Sequence, residues 1–331
     1  MLVAAFLGPT AGRLIDVHGG RRVLPVSNLV MAAGLALLGA TTGMVSLFAA
    51  WLVIGIGTSA GLYEAAFATL AGIYGRDARR AITGITLIAG FASTVCWPLS
   101  AYMDVTIGWR ATCFVWAAAH LLIGLPINAA LPPGRGIEKK SEAAAGGEAT
   151  QGRLLVMVSL AFVFAAAWFC STAMAAHLPR VLQESGASLA AAVAAAALVG
   201  PAQVGARVLE FWLMRQIHPI VSARIASLAH PVGAAGLIAL GAPAASPFAV
   251  IHGAGNGVMT IASGALPLAL FGPGGYGLRQ GVLMAPARVI SASAPFLFDL
   301  LLARYGTGSL AVTGALGVAA FTVLMLIPAR R

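Results

Sequence analysis

Residues 8–24, GPTAGRLIDVHGGRRVL, decide how this chain is built. An apolar stretch ends in an acid, a glycine pair and two arginines, and a second apolar stretch begins at once. The segment therefore reads as a very short hairpin loop between two membrane helices. Gly12 and Gly19 remove side chains where two helix ends approach and the chain reverses. Asp16 lies between Arg13 and the pair Arg21 and Arg22, so a carboxylate at the membrane edge has cationic neighbours within reach.

Composition agrees with a bilayer as solvent. Of 331 residues 60% are hydrophobic and 9% charged, with a mean hydropathy of +0.92, whereas a soluble domain carries about 25% charged residues. The chain is an integral membrane protein. Its net charge of +10 is dispersed in short clusters between apolar runs, not gathered on one face or tail, which argues against nucleic acid as a partner. Cys96, Cys113 and Cys170 lie inside apolar runs without metal-ligand spacing and read as small packing residues. Met1 to Leu7 has no basic segment of the secretory-signal kind.

About 20 apolar residues span a bilayer as helix, and eleven runs approach or exceed that length. Five come first: Met1 to Leu14, which is short, Val23 to Ala40, Ser46 to Tyr74, Ala81 to Met103 and Ala111 to Ala130. Residues 132–152, with Pro132, Pro133, Glu138, Lys139, Lys140 and Glu142, read as a linker. Six more follow: Leu154 to Leu178, Ser188 to Trp212, Val221 to Leu240, Pro247 to Phe271, Val282 to Leu302 and Gly308 to Ile327. Strands of a membrane barrel would alternate and be about half as long, so the fold class is all-α.

Alternate loops differ sharply in charge. Fourteen Lys and Arg residues fall on the side of the Gly8 loop, the linker and the C-terminus, and three, Arg110, Arg180 and Arg304, on the other. By the positive-inside rule the first side is cytoplasmic, giving a multi-pass protein of the cell membrane. The second half also repeats the first: GPTAGRLID at 8–16 recurs as GPAQVGARVLE at 200–210, pairing Arg13 with Arg207 and Asp16 with Glu210. Residues 84–98 and 281–295 share their internal spacing.

The 8–24 loop resembles the loop between helices 2 and 3 of the major facilitator superfamily, with Gly12, Asp16, Gly19, Arg21 and Arg22 matching. Val17 and Gly20 depart from it, standing where that family carries a basic residue. Gly108, Trp109 and Arg110 match the Gly-Trp-Arg many members carry between later helices. The resemblance implies two six-helix bundles, here a first bundle at 1–131, the linker at 132–152 and a second bundle at 153–331. It also implies that eleven of twelve helices are visible, with the first absent and the second clipped. A misplaced start is the favoured explanation and a truncated product the other.

Ionisable groups inside the hydrocarbon cost about 2.5–3.5 kcal/mol even on lenient scales, so few are candidates. Arg288, between Pro286 and Pro295, offers a planar, permanent charge to a carboxylate, or else a structural pairing with a carbonyl or with Glu64. Glu64, after Tyr63, suits proton coupling, an ion pair with Arg288, or a structural hydrogen bond. His252 and Asn256, four apart on one helix face, suit a polar substrate cavity. His177 and Asp299 mark the outer interface, and Arg224 snorkels to the cytoplasmic surface. Asp16 and Glu210, with Gly12, Gly19, Arg21, Arg22 and Arg207, are gating candidates: each acid is expected to dock on a helix start, near Gly281 and Ala81 respectively.

Two formal motifs carry no chemistry here. Gly57 to Gly61 fits Gly-x-Ser-x-Gly but lies within a helical run without a strand-to-helix turn. Gly272 to Gly277 fits Gly-x-Gly-x-x-Gly without the surrounding strand and helix. The expectation is a secondary transporter and not an enzyme. It needs no cofactor, acts as a monomer, and moves a small solute, an organic anion such as a monocarboxylate, with protons as the candidate coupling ion. The likeness to monocarboxylate and oxalate-type carriers is loose. The alternatives are efflux of drug-like compounds and a non-transporting fragment.

Overall fold

In a computed structural model of the chain, residues 1–134, 147–213 and 217–328 are described. Among them all regular structure is helical, as a segment that must satisfy its own backbone in lipid requires. Glu138, Lys139, Lys140, Glu142, Arg215, Arg330 and Arg331 lie outside them. Helix α1 (Leu2–His18) meets α2 (Gly20–Gly39) through one residue, Gly19, whose φ of 77° a side chain would strain. The 8–24 segment is thus a one-residue hairpin.

The run from Ser46 to Tyr74, read from sequence as one helix, is two. Helix α3 (Met44–Gly61) ends at an extended Leu62, φ −96° and ψ −165°, and α4 (Tyr63–Tyr74) starts anew. Gly57 and Gly61 let this region close on α2: a Cβ at 57 would crowd Met31, and one at 61 would sit 3.0 Å from Ser27 Oγ. Packing is therefore the role of these residues. Helix α5 (Ala78–Ala119) reverses at Gly108, φ 81°. Beyond the reversal Arg110 stacks over Trp109 and donates to Thr41 O at 2.7 Å. After a π-turn at His120–Gly124 comes α6 (Leu125–Ala129).

The later helices are α7 (Gly147–Glu184), α8 (Leu189–Ala197), α9 (Val199–Leu213), α10 (Pro219–Leu240), α11 (Ala245–Phe271), α12 (Tyr276–Tyr305) and α13 (Leu310–Leu326). Helix α7 begins inside the stretch read as linker. By length and apolarity the described helices form eight stretches able to cross a membrane. Two of them, Met44–Ala92 and Tyr276–Leu326, have 49 and 51 residues, about twice what one crossing needs, because short 3-10 turns at Gly75–Asp77 and Gly306–Ser309 join successive helices. Phe6, Val45 and Leu122 are each at least 76% exposed, as lipid-facing side chains of a membrane helix are.

The chain forms two compact units. The first holds Met1–Ile82, Phe91–Lys140 and Leu270–Ala285; the second holds Thr83–Gly90, Ser141–Ala269 and Pro286–Arg331. Two short stretches therefore pack with the unit opposite to their half of the sequence. The core of the second unit joins Met174 and Leu182 of α7, Leu237, Phe248, Phe298 and Leu310. Arg224 donates to Leu324 O and Ile327 O, capping the last turn of α13.

Candidate functional site

In the first unit the glycines of α1 meet those at the start of α12. A Cβ on Gly12 would overlap Gly277 O, and one on Gly281 would lie 2.6 Å from Gly8 O. Both helices carry the glycines four apart, the spacing that brings two backbones into contact. This approach carries Asp16 to the first turn of α12, where its Oδ1 accepts from Gly277 N–H and its Oδ2 from Leu278 N–H, each at 2.8 Å. An N-cap side chain does the same within its own helix; here α1 supplies the cap for α12. Helix α12 starts at Tyr276 and not near Gly281 because Gly272 and Gly275, at φ 75° and 61°, complete the turn before it.

Arg279 completes the arrangement by folding back to donate to Gly272 O and Gly274 O. Its charge faces Asp16 and, with the two N–H groups, lowers the Asp16 pKa, but burial outweighs them and the net shift is upward. Among the described residues no ion pair joins Asp16 to Arg13, Arg21 or Arg22; the cation that acts on it is Arg279. Arg21 instead donates to Ala129 O at 3.2 Å. Arg22 is exposed, and both arginines line, with Asp16, a cavity of about 610 Å³. Gly20 has its own reason to be glycine, since a Cβ there would overlap Thr69.

Gly12→Leu is expected to push α12 off α1 and break both Asp16 bonds. Overpacking of this kind costs about 1–3 kcal/mol, so thermal unfolding monitored by tryptophan fluorescence should shift down by several degrees. An unchanged midpoint would show that the approach contributes nothing to stability.

In the second unit the repeat partner of Arg13 is placed differently. Arg13 is exposed whereas its repeat partner Arg207 is 4% exposed. The Arg207 guanidinium donates to Thr86 O at 2.9 Å, Gly257 O at 3.3 Å and Thr260 Oγ1 at 3.4 Å. It so ties α9 to α11 and to the 83–90 segment of α5, and a Cβ on Gly90 would lie 2.6 Å from it. Glu210, one turn on and equally buried, accepts from Ser222 Oγ at 3.3 Å. Arg207→Lys keeps the charge but loses the planar fork. It should lower the unfolding temperature more than Arg13→Lys does, and equal midpoints would contradict the clamp.

The remaining candidates are found in both units. Tyr63 and Glu64 are half-buried in the first turn of α4 in the first unit. Arg288 is half-buried in α12 in the second unit. His252 and Asn256 line a cavity of about 40 Å³ in the second unit with His230 and Cys170. His177 Nε2 lies 2.8 Å from Pro295 O, and Arg180 pairs with Asp299 at 2.5 Å. His230, Gly277, Leu278 and Arg279 are additions that sequence reasoning did not single out. For Gly277 the signal was the glycine-rich run at 272–277, set aside as a false phosphate loop; its final glycine admits α1.

Long apolar helices, with one buried arginine and a buried histidine pair among the described residues, fit a multi-pass transmembrane protein. The chain belongs to the Major Facilitator Superfamily, which matches residues 1–251. Among solved structures the human organic anion transporter MFSD10 (TETRAN) is similar, with a TM-score of 0.77 at 15% identity over 98% of this chain and 81% of that one. The proton:xylose symporter XylE, bound to 6-bromo-6-deoxy-D-glucose, gives 0.75 at 16% over 98% and 84%. The E. coli fucose:proton symporter FucP gives 0.75 at 12% over 98% and 88%. At these identities the likeness is one of fold. A search of curated protein sequences found no match.

Proposed function

We propose that the protein is a secondary transporter that moves a small organic anion, such as a monocarboxylate, by alternating access. The observation that carries the anion reading is Arg288, a permanent cation half-buried within a membrane helix between Pro286 and Pro295. Arginine presents a fork that matches a carboxylate. The similarity in fold to MFSD10, named as an organic anion transporter, supports the class.

Proton coupling is assigned to Glu64. Its place in the first turn of α4, after the break at Leu62, sets a carboxylate beside N–H groups that have no partner within the helix, and broken helices of this kind serve ion and substrate sites in transporters. XylE and FucP, both named as proton symporters, share the fold. Docking of Asp16 on α12 is the latch of the cytoplasmic side, favouring the outward-open state, with Arg207 and Glu210 as its counterpart in the second half. The C-terminus is cytoplasmic, on the side of the basic loops.

Uptake of a labelled monocarboxylate into proteoliposomes tests the substrate class, with a hexose and a hydrophobic dye as comparators. Saturable uptake of the acid is expected; carriage of the sugar or the dye without the acid would overturn the reading. Glu64→Gln should abolish the response of uptake to an imposed pH gradient while exchange at equal pH persists. Uptake that still follows the gradient would remove Glu64 from the mechanism.

A further inference from the structure

The buried pair His230 and His252, with Thr313, forms a chain in which every proton can be placed. His230 Nδ1 lies 3.0 Å from His252 Nδ1, and His230 Nε2 lies 2.9 Å from Thr313 Oγ1. Thr313 Oγ1 also lies 3.1 Å from Leu310 O, which can only accept. A hydroxyl has one proton to give. Both contacts of Thr313 are hydrogen bonds only if that proton goes to Leu310 O, so His230 Nε2–H donates to the hydroxyl. A neutral His230 then has a bare Nδ1, which accepts from His252 Nδ1–H. Neutral His252 is left with a bare Nε2.

No described residue hydrogen-bonds to His252 Nε2. The His252 ring lines the cavity of about 40 Å³ together with Ser171, Ser227 and Asn256. At about 10–15 Å³ per water of this measure, a space of about 40 Å³ holds about three or four waters. We propose that His252 Nε2 is a proton-binding site inside the second unit, supplied through cavity water, with His230 and Thr313 as positioning residues. A hydronium in the cavity gives its proton to the Nε2 lone pair: an N–H bond forms, an O–H bond breaks, and a water remains. The resulting imidazolium keeps its Nδ1–H bond to His230.

The surroundings suit one added charge. Phe248 stacks on His252 with ring centroids 5.9 Å apart and planes at 22°, a face that favours a cation. From α7 the titratable group on the cavity is Cys170, from α10 it is His230, and α13 presents Thr313, Gly317 and Ala320. Arg207 reaches α11 further along, at Gly257 and Thr260, and Arg224 of α10 is committed to the end of α13. No carboxylate is among the described lining residues. The site depends on the transporter reading only for the use made of the proton, since binding itself requires no solute.

Imidazole nitrogen NMR of the whole protein, labelled with [15N]histidine in lipid nanodiscs, tests this between about pH 8 and about pH 4. His230→Gln and His252→Gln assign the two rings; should either fail to fold, Thr313→Val, close in shape, identifies them by the altered His230 signal. The expected result at high pH is a protonated Nδ1 and bare Nε2 for His252, the reverse for His230, and on acidification a new proton on His252 Nε2 alone. A His252 Nε2 already protonated at high pH, or still bare at the lowest pH, overturns the proposal. A protein that carries no anion would still give the expected spectra, so the two readings fail separately.

Discussion

On the proposed anion reading, Arg288→Ala is expected to abolish uptake of the acid, and Arg288→Lys to retain a small fraction of it. Removing one partner of a desolvated charge pair costs about 2–5 kcal/mol, so transport by the alanine variant falls roughly thirtyfold or more. Lysine keeps the charge but replaces a planar fork by a point charge on a flexible stem, and its loss is smaller. Initial uptake rates in proteoliposomes, normalised to folded protein recovered by size exclusion, measure both. Full transport by a well-folded alanine variant would remove Arg288 from the substrate site.

If Asp16 latches the cytoplasmic side as proposed, Asp16→Asn is expected to shift the protein toward the inward-open state. The carboxylate offers one oxygen to Gly277 N–H and another to Leu278 N–H. Asparagine can match one of them, and its NH2 then opposes the other donor. A polar group left unsatisfied in a partly buried site costs about 1–3 kcal/mol, which at 1.4 kcal/mol per decade is about five- to hundredfold in a two-state equilibrium. A cysteine placed in the cavity of about 610 Å³ that Asp16 lines should label faster with a membrane-impermeant thiol reagent in inside-out vesicles. Unchanged or slower labelling would reduce Asp16 to a structural cap.

The pH dependence of the same site has a definite sign. Burial holds the Asp16 pKa above its ordinary value despite the two N–H groups and Arg279. The folded protein therefore binds this proton more readily than the unfolded chain does. The contribution of Asp16 to stability is complete below the ordinary carboxylate range and declines as pH rises through the elevated value. Asp16→Asn should flatten that part of the stability profile in thermal scans, and an identical profile in both proteins would contradict it.

The class of fold was legible because lipid leaves a chain few choices: long apolar runs and sidedness of charge are composition facts. The hairpin at Gly19 was legible for a similar local reason, since a glycine pair between two such runs leaves little chain with which to turn. The break at Leu62 was not, because nothing in Gly61-Leu62-Tyr63 differs in kind from glycines that remain helical, and the packing of 57 and 61 on α2 is tertiary. Gly277 and Leu278 were hidden because their part is played by backbone N–H groups, which every residue has. The pairing of His230 with His252 joins two helices 22 positions apart, beyond any periodicity. The repeat misled at one point: Arg13 and Arg207 align, yet one is exposed and the other buried, because equivalent positions in two halves need not meet equivalent neighbours.

Solute counterflow is the most direct test of alternating access. Proteoliposomes loaded with a high concentration of unlabelled monocarboxylate are diluted into a trace of the labelled acid. A carrier that exposes one site alternately to each side should accumulate label transiently above its equilibrium level, with an overshoot lost in Arg288→Ala. Labelled acid that only equilibrates without overshoot, or enters no faster than into protein-free vesicles, would contradict the account.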